Sequence, residues 1–541
     1  MQAELLLLNA DIVTMDPGAP RAQALAIADG RIVAVGTQAD LLELDNGCTR
    51  RIDARGLTVL PGLRDNHIHL QDSGYYNGTM ADLTRVRTAL ELIATLREFA
   101  ATQCMLWVGG QGYSIGIFNE DTLSREDLDL AVPDRPCLIY AADLHSACLN
   151  TRGCEALGLT SDTPDPVNGR FSRDARGVPT GMLHEEAITW AQDRMPPVTE
   201  ETYMAGVRFG QELCHRHGLT GALDPKITLR HAAVYQRMVE DGSLTLRMNG
   251  AAWVDPEETD DQTLARLMKM RRDHWSDMFR IHSAKFFIDG VLENRTAAMI
   301  EGYQDARGGN APLLFTPEKI ARLFPALDAA RFQIHCHVIG DLAVRAVLDG
   351  LETARATNGD WPALHQVTHL QCVRPEDIAR LGKLRAMANL QALWARAVAS
   401  VTEVCLPMAG PALAETIYPF RSIIEAGAPF CLTSDWGVST LNPFEIMSTA
   451  LTRQVPGQPA MPVFLPHERL SRAQVLTGYT TGAAAGAWRP DTGSLRVGAQ
   501  ADFIVVDRDV TRCDPHELGA TQVELTVVGG REVYRRLGFD G

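Results

Sequence analysis

Through the middle of this 541-residue chain, short apolar runs alternate with amphipathic stretches, and most of the runs finish on a histidine, lysine, aspartate or asparagine. The runs end at His69, Ala222, Asn249, Lys285, His337, His369, Leu390 and Asp435. Such alternation predicts βα units and a parallel sheet. Eight run ends suit a closed barrel, with helices over Thr316–Ala329 and Ile339–Ala356 among its connections. In a (β/α)8 barrel the C-terminal strand ends meet at one mouth. Side chains hundreds of residues apart are therefore expected to converge there: His67, His69, Lys285, His337, His369 and Asp435.

The pattern His67-Ile68-His69 sharpens this expectation. Side chains on a strand alternate with period two, so both imidazoles face one way and Ile68 the other. Imidazole nitrogen and carboxylate oxygen together suit zinc and similar divalent ions. His335 shares a strand face with His337, and His365 is paired with His369 in the same way, so either member of each pair can serve as the ligand. Trp107 and Trp394 are candidates for a pocket wall or for core. His215, His217, His231, His274, His467 and His516 fall in helical or loop settings and read as surface or structural.

Both chain ends read as short strands and tight turns. At the start these are Leu5–Leu8, Ala24–Ala28, Arg31–Val35 and Arg51–Asp53, with Asp29-Gly30 as a hairpin signal. At the end they are 493–498, 501–507 and 525–533. The expected division is a β-sandwich shared by residues 1–58 and 481–541, flanking a barrel over 59–480. Residues from about 75 to 215 exceed one βα crossover. They are read as an elaborated insertion over the barrel mouth, with Trp107–Tyr113, Cys137–Ala142 and a turn-rich stretch Thr160–Gly181 containing Asn168-Gly169.

Composition narrows the class. A formal net charge of −16 argues against a nucleic-acid partner, which needs a basic face. Eleven cysteines without CxxC spacing read as reduced thiols. The opening segment lacks the basic region of a signal peptide, and no apolar run approaches the roughly 18 to 20 residues of a membrane span. A cytoplasmic enzyme without a membrane partner is expected, with a homo-oligomer allowed.

The chain resembles the metal-dependent amidohydrolase superfamily, in its amidohydrolase family 3 branch, which includes N-substituted formamide deformylases. The resemblance covers nearly the whole sequence. It rests on 9–16 (NADIVTMD), 60–69 (LPGLRDNHIH), 285–290 (KFFIDG) with 295–298 (RTAA), 335–341 (HCHVIGD), 368–371 (THLQ), Ser434-Asp435 and 492–495 (TGSL). It implies a deformed (β/α)8 TIM-type barrel, a β-sandwich built from both chain ends, and one or two divalent ions at the barrel mouth, zinc foremost. In the binuclear version His67 and His69 hold the first ion and His337 and His369 the second. Lys285, carboxylated by carbon dioxide, bridges them. His337 is favoured over His335 because it precedes Val-Ile-Gly-Asp as in the family pattern, and His369 over His365 because it stands at the strand end. Asp435 ligates the first ion and shuttles the proton for a metal-bound hydroxide. The alternative for Lys285 is a salt bridge to Asp435 beside a single ion.

The resemblance implies hydrolysis of a C–N amide-type bond in a small molecule. His145, Arg295 and Gln371 are candidate substrate contacts, with Arg295 paired to Asp289 or Glu293 as its structural alternative. An aminohydrolase is disfavoured because no glutamate closely follows His337. An ester, lactone or carbamate hydrolase uses the same core, and a non-catalytic relative would have lost ligands that are all present here. The sequence departs from the family at Arg64 and Asn66, at Asp143-Leu144-His145, and over Val291–Arg295, which leaves substrate specificity open.

Overall fold

A computed structural model describes every residue except Met1, Cys104, Asp143, Leu144 and Asn168. The Asp143-Leu144 departure, the first residue of Asn168-Gly169 and one cysteine thus lie outside the described residues. The described cysteines are free thiols, most of them buried. Among the described residues, no helix is long and apolar enough to cross a membrane. Contacts divide the chain into two compact units, 71–210 and the remainder.

The larger unit contains the barrel. Its eight strands are β1 (Leu63–Asp65), β2 (Leu219–Ile227), β3 (Arg247–Trp253), β4 (Phe279–Phe287), β5 (Gln333–Val338), β6 (Gln366–His369), β7 (Met387–Leu390) and β8 (Phe430–Leu432). They form one sheet in sequence order, and every neighbouring pair is parallel. Buried Ile281, Ala284, Phe286, Ile334 and Cys336 alternate with inward polar residues along β4 and β5. The connecting helices begin where their caps dictate. Thr316 accepts the Lys319 N–H at 3.2 Å and starts the helix Pro317–Ala329. The next helix is Asp341–Asn358, two residues later than the sequence suggests, because Gly340 serves as its N-cap in extended conformation.

The first and last strands end earlier than expected. The ladder stops at Asp65 and at Leu432, leaving the His67–His69 segment and Asp435 beyond it. Asp65 explains both ends. Its buried carboxylate accepts the backbone N–H groups of His67 and Ser434, each at 3.0 Å, and so takes them out of the sheet. The barrel closes through those extensions: Asp435 N–H donates to His67 O and His69 N–H to Trp436 O, both at 2.9 Å.

Arg64 and Asn66 account for each other. The Arg64 guanidinium lies inside the barrel, donating to Asn66 Oδ1 at 3.0 Å, to Ala222 O at 2.9 Å and to Asn249. Gly221 makes room for it, since a Cβ there would sit 2.2 Å from the guanidinium.

Both chain ends share one sandwich. A four-stranded sheet from residues 5–53 faces a six-stranded sheet, in which Thr58–Pro61 and Asp11–Val13 join Phe503–Val506, Val523–Val528 and Arg531–Arg535. Leu5, Leu7, Ile12, Leu25 and Ile27 pack with Phe503, Val505, Leu525 and Val527 in a single core. Asp29 and Gly30 turn the hairpin with φ of 51° and 70°, the left-handed pair that such a two-residue turn requires.

The 71–210 unit has its own six-stranded mixed sheet, running from Met80–Asp82 through Val108–Tyr113 and Cys137–Ala141 to the hairpin Gly169–Arg173 and Pro179–Glu185. Trp107 packs into one of its two cores.

Candidate metal centre

The end of β6 and the segments after β1 and β8 bring four expected ligands together, His67, His69, His369 and Asp435. One ligand atom each from His67, His369 and Asp435 lies within 4.8 Å of the others, and all three residues are buried. His69 Nε2 is 3.4 Å from Asp435 Oδ1 and His67 Nε2 is 3.6 Å from it. The alternation expected of the His67–His69 segment thus survives although the strand has ended: both rings face Asp435 and Ile68 is fully buried.

His337 lies beside this cluster, its ring 4.3 Å from that of His369. Its Nε2–H donates to Gly290 O at 3.1 Å. His369 thus stands between the two positions of the two-ion scheme, with a ligand atom within reach of His67 and Asp435 and its ring against that of His337. Lys285 is 3% exposed, and among the described residues its ammonium has neither a hydrogen bond nor an ion pair. Asp435 in particular is not within salt-bridge distance of it. Burial holds the Lys285 amine below its ordinary range, at about 8, with Asp435 opposing the shift.

Two atoms in the cluster are buried without a hydrogen bond: His369 Nε2, and Asp435 Oδ1, which the two imidazoles of His67 and His69 approach. A buried polar atom left unpaired costs about 1–3 kcal/mol. The chemistry of His369 shows what is missing. Its Nδ1–H donates to Gln391 Oε1 at 3.0 Å, which leaves Nε2 as a bare lone pair. An imidazole lone pair and a carboxylate oxygen that converge without hydrogen bonds fit a cation, and a divalent ion suits the donor set. Burial, with the Lys285 charge nearby, depresses His67 and His369 well below the usual imidazole range and His337 to about 3. The rings are thereby held neutral, the form that ligates.

A ring of further groups fixes these side chains. Gln391 donates to Thr433 Oγ1 at 2.7 Å and to Asn389 Oδ1 at 3.0 Å, so the acceptor of His369 is itself tied down. His67 Nδ1 meets His335 Nε2 at 2.9 Å, which makes His335 a support for the ligand one step deeper in the barrel. His365 is occupied by Asp328 at 3.0 Å and by the Ile334 N–H. Asp289 accepts backbone N–H groups from Ala298, Ile339 and Gly340, tying the turn after β4 to the turn after His337. His369 and Asp435 have φ of 78° and 54°. Left-handed backbone at such residues costs about 1–3 kcal/mol and persists only where the surroundings enforce it.

The substrate-contact candidates have different local settings. Gln371 lines a cavity of about 370 Å³ with Val291, Glu293, Asn294, Ile339, Trp394, Arg396 and Tyr418. Trp394 stacks on His369, ring centroids 5.2 Å apart and planes 11° from parallel, so this cavity opens beside the ligand cluster. Arg295 is held elsewhere, paired to Asp305 at 2.7 and 3.0 Å and lying over the Tyr303 ring. Its partner is neither of the two acids expected from sequence. His145 belongs to the 71–210 unit, where its Nδ1 meets Glu185 Oε2 at 2.9 Å. Sequence reasoning passed over Asp65, Gln391, Thr433 and Arg396. Of these only Asp65 carried a signal, its place two residues before the HxH pair.

A parallel eight-stranded barrel with imidazole and carboxylate groups meeting at its C-terminal strand ends defines a class of metal-dependent hydrolases. The chain belongs to the amidohydrolase family, whose model matches residues 50–534, and is an enzyme of the group that hydrolyses C–N bonds. It is similar to Protein LONG AFTER FAR-RED 3 of Arabidopsis thaliana, 27% identical over 98% of this chain and 92% of that protein. N-substituted formamide deformylase of Arthrobacter pascens is also 27% identical, over 99% of both chains. Among solved structures, an uncharacterized metal-dependent hydrolase from Pyrococcus furiosus shares the fold with a TM-score of 0.77 and 22% identity, over 94% of this chain and all of that one.

Proposed function

We propose that this enzyme hydrolyses an amide-type C–N bond in a small molecule, at a divalent metal held by His67, His69, His369 and Asp435. The observation that carries this reading is the pair of buried acceptors without a hydrogen bond, His369 Nε2 and Asp435 Oδ1, within one group of converging ligand atoms. A bound divalent ion supplies Lewis acidity, which acidifies water and polarises a carbonyl. Asp435 accepts the proton lost by the attacking water and returns it to the departing nitrogen. Gln391 and His335 orient His369 and His67. Trp394 and Gln371 form the wall against which the substrate lies, and Trp394 shields one face of His369 from water.

Lys285 and His337 provide the second position. An inward lysine with no partner among the described residues supports carboxylation, since a carbamate exchanges a lone ammonium for two metal-binding oxygens. The competing arrangement, Lys285 paired with Asp435, lacks its ion pair.

The likeness to a deformylase over the full length supports N-formyl and related N-acyl amines as first substrates. The test is metal analysis of the purified protein together with an assay on such amides. Tightly held divalent metal and activity lost to a chelator are expected, with activity restored by zinc. Full activity in rigorously metal-free protein refutes the reading.

A further inference from the structure

Arg396 stands in the loop after β7, two residues beyond Trp394, and lines the 370 Å³ cavity beside the ligand cluster. The cavity is tied to the ligands by chain position. Ile339 follows His337 by two residues, Gln371 follows His369 by two, and Val438, whose N–H donates to Asp435 O at 2.9 Å, also lines it. Among the described residues Arg396 has no carboxylate within 4 Å. One of its terminal nitrogens donates to Leu393 O, and its Nε is buried with no acceptor. Gln371 Nε2 is a second buried donor on the same cavity without a hydrogen-bond acceptor, with only the weakly accepting sulfur of Cys405 beside it.

Two acids stand nearby, and neither pairs with Arg396. Glu293, on the cavity wall, accepts from Cys405 Sγ at 3.2 Å and makes no ion pair with Arg396. Glu445 lines an adjoining open cavity that Arg396 also borders, and it contributes charge to Arg396 without coming within ion-pair distance. A half-buried guanidinium that has lost part of its hydration without gaining a hydrogen-bonded carboxylate is an incomplete pair. Its planar fork matches a carboxylate.

We infer that Arg396, with Gln371, is an anchor for a carboxylate on the substrate, so that the amide cleaved belongs to an N-acylated amino acid or similar mono-anionic amide. One charge is favoured over two because Glu293 lines the same cavity. This deepens the proposed amide hydrolysis and rests on it.

The experiment compares N-formyl and N-acetyl amino acids with their neutral C-terminal amides, using metal-loaded wild type, Arg396→Gln and Arg396→Lys. A hydrogen bond to a charged group is worth about 1.5–3 kcal/mol, or roughly 10- to 100-fold. The acid-to-amide ratio of kcat/KM should therefore fall by about that factor in Arg396→Gln and recover in part in Arg396→Lys. A ratio unchanged by Arg396→Gln, or a wild type without preference for the acid, overturns the inference and leaves amide hydrolysis standing. If no amide is turned over, titration with phenylacetate decides the matter separately. Binding weakened by the same factor in Arg396→Gln keeps the anchor and discards amide hydrolysis, and equal binding discards the anchor as well. Thermal melting of both variants checks that they are folded.

Discussion

Replacing Gln391 by Met should loosen metal binding by a predictable amount. Gln391 is 1% exposed and makes three side-chain hydrogen bonds: from His369, to Thr433 and to Asn389. Methionine fills a similar unbranched volume without polar atoms. His369 Nδ1–H is then left buried without an acceptor, at about 1–3 kcal/mol, while Thr433 and Asn389 remain bonded to each other at 2.7 Å. Adding about 1 kcal/mol for their weakened network, the folded apoprotein should lose about 2–4 kcal/mol. The ring also loses the contact that fixes its tautomer, and removal of such a support typically costs 10- to 100-fold in metal affinity. The assay is a zinc titration against a chromophoric chelator, with apoprotein melting measured beside it. Thr433→Val is the control, since it removes bonds from the same network but none from His369; it should lower the melting temperature with less than about threefold effect on zinc, about 0.7 kcal/mol. A Gln391→Met protein that melts early but binds zinc within twofold of wild type would show that His369 Nε2 does not hold the ion.

Asp435→Asn should reduce turnover by about 10²- to 10⁴-fold with the circular dichroism spectrum unchanged; near-normal turnover assigns the proton to another group. Lys285→Ala should lose one metal equivalent and most activity, and bicarbonate should aid reconstitution of wild type but not of the variant. Unmodified Lys285 in electron density of a fully loaded, active crystal would remove the bridging role. The apoprotein should lose stability as pH falls below about 6.5. Burial lowers His215 to about 4 and His337 to about 3 in the folded chain. Between pH 6.5 and 4 the unfolded chain therefore binds protons that the folded chain excludes, at about 1.4 kcal/mol per pH unit for each group. A denaturation midpoint that is flat or rising from pH 7 to 5 would contradict this.

The parts of this site legible from sequence were those set by short-range periodicity. An HxH pair keeps its two rings on one side whether or not the strand continues, and histidines at run ends reach the mouth because every parallel strand delivers its end there. The early stop of β1 and β8 was not legible. It depends on Asp65 capturing two backbone N–H groups, one of them several hundred residues away. The partner of Arg295 was hidden for a related reason, since Asp305 approaches only once the turn between them has formed. Arg396 carried no signal at all. A charged residue in a loop looks alike whether it is solvated or lining a cavity, and what sets it apart is that, among the described residues, it has no ion pair and its Nε has no acceptor.

The seam of the barrel bears on how this protein is made. The backbone bonds that join the first strand's extension to the last are those of His67, His69, Asp435 and Trp436. Closing the cylinder and completing the ligand set are therefore one event. On a ribosome adding about 5–20 residues per second, His67 and His69 emerge some tens of seconds before Asp435. Throughout that interval the nascent chain offers a stray cation only an incomplete ligand set. A chain cut before Ser434-Asp435 would remain in that state, with neither a closed cylinder nor a full set of donors. The segment that carries Asp435 and Trp436 thus decides both whether the cylinder can close and whether the proposed ligand set is complete.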